Sequence, residues 1–436
     1  MSAAAQSYID LFPLPRGARE VLARLTEAGY EAYLVGGCVR DFLRGVTPHD
    51  YDLTTAATPA DIQRVFAGYR LIETGIRHGT VTVLADGAPY EITTYRVDGD
   101  YHDSRHPDEV RFTASLREDA ARRDFTVNAI AYHPHEGIRD FFGGEADIRA
   151  RLIRAVGDPR RRFEEDALRI LRALRFAATL GFTIEKETAA AALEKAPLLQ
   201  NISAERVREE LTKLLLGDNA GEVLRAFYPV LAIALPDWYR KLTADNKTPE
   251  KSIECLAAWL AHAPKDPVSR YAIFLSPFTQ AGDAAAQMDA LRFDHRTRDR
   301  VAKLLSHRDD PCGKDTKSAR RFLSGLGGQD AQLLLDIRRA VCLAQGERGQ
   351  AEAIAAAKNA VCALIEKEGE CSSVSDLCVR GNDLIALGIR PGKELGLCLR
   401  ALLDAVVAGQ VKNEKQALLT YVTKNAISET KKENKT

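Results

Sequence analysis

The stretch LVGGCVRDFLRGVTPHDYDLTT (34–55) constrains the fold more than any other part of the chain. Its apolar start predicts a strand that runs into Gly36-Gly37, and a helix is expected to follow. Two glycines let the backbone turn sharply and approach a ligand closely. A helix start offers free N–H groups and a positive dipole end, a setting that suits phosphate. Arg40 lies one turn in, as a forked cation able to pair with phosphate oxygens. Asp50 and Asp52 come next, two residues apart. In a strand such residues share a face, roughly 7 Å apart at the backbone. Two carboxylates so placed repel each other unless a cation sits between them. Hard oxygen ligands suit Mg²⁺, which binds through one or two carboxylates plus substrate phosphates. Taken alone, Asp-Tyr-Asp is as well explained by a solvated turn, and Gly-Gly by a tight bend. Together they describe a phosphate cradle beside a metal site.

The rest of the chain sorts into an α/β head and an all-α remainder. YEAYLVG, GTVTVLAD and YEITTYRV predict strands in the first 150 residues, rich in β-branched and aromatic side chains. Thr58-Pro59 predicts a helix start, with threonine as N-cap and proline at the first helical position. From about residue 158 onward strand signals fade, and FEEDALRILRALRFAATLGF and SAERVREELTKLLLG show helical spacing up to a closing glycine. The polar TADNKTPEKS (243–252) marks a linker, and SETKKENKT (428–436) is expected to be disordered. Lys+Arg and Asp+Glu both number 61, so any polyanion must be gripped by local basic faces. Eight scattered cysteines without a CxxC pair fit reduced thiols. No apolar run reaches membrane length and the N-terminus lacks signal-peptide order, so a cytoplasmic protein is expected. His49-Asp50 also spells the dipeptide of metal phosphohydrolases, but His78, His102 and His106 form no helical ligand set, and CLAAWLAHAPKD (255–266) lacks such a pair.

Further charged residues gather near these motifs. Glu91, on a strand expected in the same sheet, is a candidate third carboxylate or an ordinary surface glutamate. REDAARRDFTVNAIAY (117–132) contributes Arg122, Arg123, Asp124 and Asn128, either near a triphosphate or on a charged helix face. LVGGCVRD, HDYDLTT, RRDFTVNA, GDPRRRFEEDALRILRALRF and ISAERVREEL follow one another in the order seen in class II tRNA nucleotidyltransferases, which the chain resembles over roughly residues 30–215. The resemblance implies a head of the DNA polymerase β type (1–157), followed by an elongated all-α neck that recognises the nucleotide base (158–220), body (221–370) and tRNA-binding tail (371–436). It implies that Asp50 and Asp52 bind Mg²⁺ and that Gly37, Arg40 and Arg123 contact the incoming nucleotide; Glu91, as the third carboxylate, would join Asp50 and Asp52 in catalysis by helping to hold metal or by activating the primer hydroxyl.

Read as one helix, FEEDALRILRALRF (163–176) places Ala167, Ile170, Leu171 and Leu174 on one side and Asp166, Arg169, Arg172 and Arg175 on the other. Asp-x-x-Arg is commonly an ion pair on a solvated face. The chemistry allows more. Cytosine and adenine present an amine donor next to a ring-nitrogen acceptor, and guanine and uracil reverse that order. A carboxylate only accepts and a guanidinium only donates. Asp166 and Arg169 would therefore accept CTP and ATP and reject UTP and GTP, the role this position has in the resembled family. Arg172 and Arg175 would neutralise phosphates or brace the reading pair. Arg206 is expected to pack against this helix rather than act in the chemistry. The polar segment 95–112, with Arg105, is a candidate for the switch from CTP to ATP. In the tail, Arg390 and Lys393 flank a Pro391-Gly392 turn suited to an RNA phosphate. The expectation is addition of C, C and A to tRNA from CTP and ATP, with no obligate protein partner. CC-only or A-only addition, poly(A) synthesis and an inactive RNA-binding paralogue are the alternatives.

Overall fold

The computed structural model describes residues 12–98, 110–244, 248–368, 374–407 and 410–433. Two compact units result: residues up to Asn219 together with Ala226–Pro236, and Ala220–Arg225 together with Asp237 onward. The sequence-derived boundary at 157/158 falls inside the first unit, and the one at 370/371 inside the second.

The first unit opens with α1 (Arg16–Glu27), whose Ala18, Val21, Leu22 and Leu25 recur at helical spacing and are buried. Gly17 is required there, because a Cβ would strike the Tyr90 ring at 2.6 Å. β1 (Ala32–Val35) is buried throughout. Then come α2 (Gly37–Leu43), β2 (Asp52–Thr55) and α3 (Pro59–Val65). Thr58 and Asp61 close a capping box at the start of α3, as Thr58-Pro59 predicts. β3 (Arg70–Ile72), β4 (Thr80–Ala85) and β5 (Ala88–Thr94) follow; Val81, Val83 and Ala85 on β4 alternate inward. β6 (Arg96–Asp98) and β7 (Val110–Phe112) form a separate ladder at the ends of the 99–109 segment. The unit continues through α4 (Leu116–Ala121), β8 (Ile130–His133), β9 (Gly137–Asp140), α5 (Gly144–Ala150) and β10 (Leu152–Ile153).

The main sheet runs β3-β4-β5-β2-β1-β8-β9. Only β2 and β5 are parallel neighbours within it, with Leu53 opposite Ile92. The helical part of the first unit holds α6 (Pro159–Glu165), α7 (Leu168–Leu180), β11 (Thr183–Ile184), α8 (Lys186–Lys195) and α9 (Ala204–Leu216). α7 buries most of its length and stops at Gly181, whose φ of 69° is left-handed. α10 (Ala220–Ala234) breaks at Phe227, where Pro229 can neither donate a helical hydrogen bond nor avoid the preceding turn.

The second unit is helical, from α11 (Pro236–Leu242), α12 (Pro249–His262), α13 (Pro267–Phe274), α14 (Ala281–Ala290) and α15 (His295–Ser306) to α16 (Thr316–Leu326), α17 (Gly328–Ala344) and α18 (Arg348–Glu368). Buried Trp238 stacks on Phe274 and donates to its carbonyl at 2.8 Å. α19 (Gly381–Ile385), α20 (Lys393–Val407) and α21 (Lys415–Glu433) close around Leu377, Val379, Leu384, Leu402 and Leu418. α21 reaches Glu433, within the 428–436 segment for which disorder is expected from sequence, and residues 434–436 lie outside the described residues. Lysine and glutamate propagate a helix once it has started, which polarity alone does not reveal.

Candidate active site

The crevice forms where β1 ends. Gly36 adopts φ 79° and ψ −130°, a conformation only glycine holds without strain. Gly37, the residue singled out in the sequence, has no such requirement: a Cβ there would meet the Arg40 guanidinium at an ordinary 3.7 Å. β2 starts alongside, with Asp52 paired to Val35. Leu53 pairs with Ile92, so the parallel register sets Asp52 beside Glu91. Asp50 is not on the strand as the sequence spacing implied. It lies in the loop just before it, because Pro48 and the polar residues around it favour a turn. All three carboxylates are exposed, and none makes an ion pair with a described residue. Partial removal from water, then Glu91 and Asp50, push the Asp52 carboxyl up to about 6, against the pull of Arg123. Burial first, and Asp52 next, push the neighbouring Cys38 thiol up to about 12, so it is no nucleophile.

Behind the carboxylates stands a fully buried hub, Asp119, that the sequence reading missed. It accepts from Arg122 Nε and Nη2 at 3.0 and 2.7 Å, Arg123 Nη2 at 3.2 Å and Thr54 Oγ1 at 3.3 Å. Burial alone would raise its carboxyl; Arg122 and Arg123 hold it below the usual range. Its spacing of three and four residues from two arginines was the available signal.

Arg40 is buried and already committed. It donates to Asn128 Oδ1 at 2.8 Å and to both Asp41 oxygens. Asn128 donates to Asp124 at 3.1 Å, and Asp124 accepts Arg172 Nε and Nη2 at 2.8 and 2.6 Å. Against its burial, Arg172 and then Asn128 hold the Asp124 carboxyl down to about 2. Arg175 lies 2.6 Å from Glu210 and over the Phe176 ring. Arg172 and Arg175 are thus each paired with a carboxylate of the same unit.

The single helix read across 163–176 is corrected. Asp166 is extended (φ −146°, ψ 103°) between α6 and α7. Its Oδ1 accepts the Leu168 N–H at 3.0 Å, ending one helix and starting the next. Its Oδ2 accepts Arg206 Nη2 at 2.7 Å, in keeping with the packing role expected of Arg206. Arg169 turns elsewhere, to Glu165 at 2.7 Å and to the carbonyls of Arg162 and Arg122. The two residues nominated to read the base therefore meet through the backbone, Arg169 N–H donating to the Asp166 carbonyl at 3.0 Å, while their side chains hold other partners. Arg105 lies outside the described residues, whereas Arg390 and Lys393 are exposed around Gly392, whose φ is 103°.

No group of three His, Cys, Asp or Glu suited to a metal is found among the described residues. What the crevice provides is a set of under-neutralised carboxylates. It fits a hard divalent cation whose remaining ligands come from phosphate and water, not a closed protein cage.

Residues 32–154 match the family model described as Poly A polymerase head domain, 181–228 a probable RNA- and SrmB-binding site of polymerase A, and 328–422 a putative tRNA nucleotidyltransferase domain 2. The CCA-adding enzyme of Limosilactobacillus fermentum is 38% identical over 408 residues, covering 92% of this chain and 95% of the relative. That of Levilactobacillus brevis is 38% identical, with 93% and 97% covered. Among solved structures, the Bacillus stearothermophilus CCA-adding enzyme in complex with CTP is 29% identical and superimposes with a TM-score of 0.75, covering 99% of this chain and 100% of that one. No helix among the described residues is long and apolar enough to cross a membrane. With similarity extending through head and helical remainder alike, the chain belongs to the family of CCA-adding enzymes.

Proposed function

We propose that this protein adds C, C and A to the 3′ end of tRNA in the cytoplasm, using CTP and ATP and releasing pyrophosphate. The observation that carries the reading is Asp52 and Glu91 in register beside the Gly36 turn, with Asp50 adjacent and no protein cation of their own. Asp50 and Asp52 would hold Mg²⁺. When bound, that ion neutralises the carboxylates and triphosphate and stabilises charge on the attacking and leaving oxygens. Glu91 shares that hold or takes the proton of the 3′ hydroxyl. Arg123 faces the Gly36 turn, where its unengaged donors suit a triphosphate, and Gly37 and Arg40 shape the same wall.

Base choice falls to Asp166 and Arg169. Asp166 accepts from the exocyclic amine and Arg169 donates to the ring nitrogen, an order UTP and GTP cannot meet. Here Arg169 must first leave Glu165 and the Arg122 carbonyl, while Arg206 holds Asp166 in its orientation. Arg172 and Arg175 fix the helix that carries the pair. Arg390 and Lys393 in the tail are the candidate phosphate contacts for tRNA.

The test supplies the protein and Mg²⁺ with tRNAs ending before C, after CC and after CCA, and each nucleotide separately. Addition of C, C and A that then stops supports the reading. Unlimited A addition makes it a poly(A) polymerase, a stop at CC a partial enzyme, and RNA binding without transfer an inactive paralogue.

A further inference from the structure

Arg123 is near enough to Asp52 to attract its carboxylate, and something must keep the guanidinium from closing on it. Asp119 is positioned to do so. Oδ1 is shared by Arg122 through two donors and by the Arg96 backbone N–H at 3.4 Å. Oδ2 takes one donor from Arg123 and the hydroxyl of Thr54, two residues along β2 from Asp52. One buried carboxylate thus meets two arginines, and Arg123 is the less neutralised. Its Nε is buried without a hydrogen-bond partner, and its Nη1 lies 3.5 Å from where a Cβ on Gly36 would be. A guanidinium tethered by one nitrogen, with unused donors beside a glycine turn, is set up for an anion it does not yet hold.

We propose that Asp119 is a positioning residue: it aims Arg123 at the triphosphate and holds it off the metal-binding carboxylates, leaving them open to a cation. The inference rests on the nucleotide-transfer reading of the crevice. It makes Asp119 matter for nucleotide and metal affinity, and only through Arg123. A carboxylate that merely anchors α4 would have no such dependence.

The experiment compares wild type, Asp119→Asn, Arg123→Ala and the double variant in the full chain. It measures KM and kcat for CTP and for ATP on matched tRNAs, the Mg²⁺ needed for half-maximal rate, CTP affinity by calorimetry, and thermal unfolding. Asp119→Asn is expected to raise KM for both nucleotides by about tenfold, raise the Mg²⁺ requirement, and leave the preference for CTP over UTP unchanged. Added to Arg123→Ala, it should change KM by less than about twofold. Equal losses in both backgrounds, or an unchanged KM, overturn the proposal. Should Asp119→Asn fail to fold, Asp119→Glu, which keeps the charge, and Thr54→Val, which removes a donor without orphaning an arginine, are put through the same cycle with the same criteria. A wild-type chain that binds CTP without transferring it removes the transfer reading alone, and the cycle is then judged on affinity. A chain that binds no CTP removes both.

Discussion

The crevice at the start of β2 and the helix pair α6–α7 carry comparable numbers of charged groups, yet they treat them oppositely. In the crevice, Asp50, Asp52 and Glu91 have no ion-pair partner among the described residues. Around α7, Asp124, Asp166 and Glu210 are each met by an arginine at 2.6 or 2.7 Å, and Arg169 is met by Glu165. One region is an incomplete charge set that a ligand must finish. The other is complete without ligand, so binding there is an exchange of partners. Rate should therefore be sensitive to the first region, and stability and selectivity to the second.

The sharpest way to break this contrast is Asp52→Asn. Nucleotide incorporation into tRNA should fall roughly 10³-fold or more while metal-free thermal stability holds or rises. A stability loss instead would mean that Asp52 is structurally paired. Next, Asp124→Ala removes a buried carboxylate and leaves half-buried Arg172 only Glu210 at 3.8 Å, and should cost about 1–3 kcal/mol in denaturant unfolding. The stability Asp124 contributes is complete above the ordinary carboxylate value and is lost as pH falls towards about 2. Asp166→Ala should narrow the preference for CTP over UTP by about 1–3 kcal/mol, read from competing kcat/KM values; unchanged selection would remove Asp166 from base reading. The smallest effect is one of pH. Because the Asp52 carboxyl is raised to about 6, its own contribution to metal-free stability, read as wild type against Asp52→Asn, should be complete below the ordinary carboxylate range and be lost as pH rises through about 6. Divalent-cation affinity should weaken as pH drops below it, and Asp52→Asn should flatten that profile.

Local features were legible in the sequence. The strand–glycine–helix run, the Thr58 cap and the stop at Gly181 all depend on residues a few positions apart, and the structure contains each. What escaped reading depends on distant partners or on one residue leaving the expected path. Arg172 and Asp124 are 48 positions apart, so no periodicity shows them meeting. Asp166 looked helical because Ala167, Ile170 and Leu171 continue the apolar stripe, although aspartate readily caps a new helix through its own side chain. Asp119 was lost among the charges of REDAARRD, where sequence cannot tell a solvated carboxylate from one sealed beneath two arginines.

The parallel join of β2 to β5 has a consequence for how the protein comes to exist. Thr54 and Thr93 are 39 positions apart where these strands meet, and β4 pairs with the other edge of β5. Until that middle of the sheet assembles, Glu91 stands apart from Asp50 and Asp52, which are neighbours in sequence already. Competence for chemistry thus arrives with tertiary structure, and a loosened β5 would forfeit it with every acidic side chain intact.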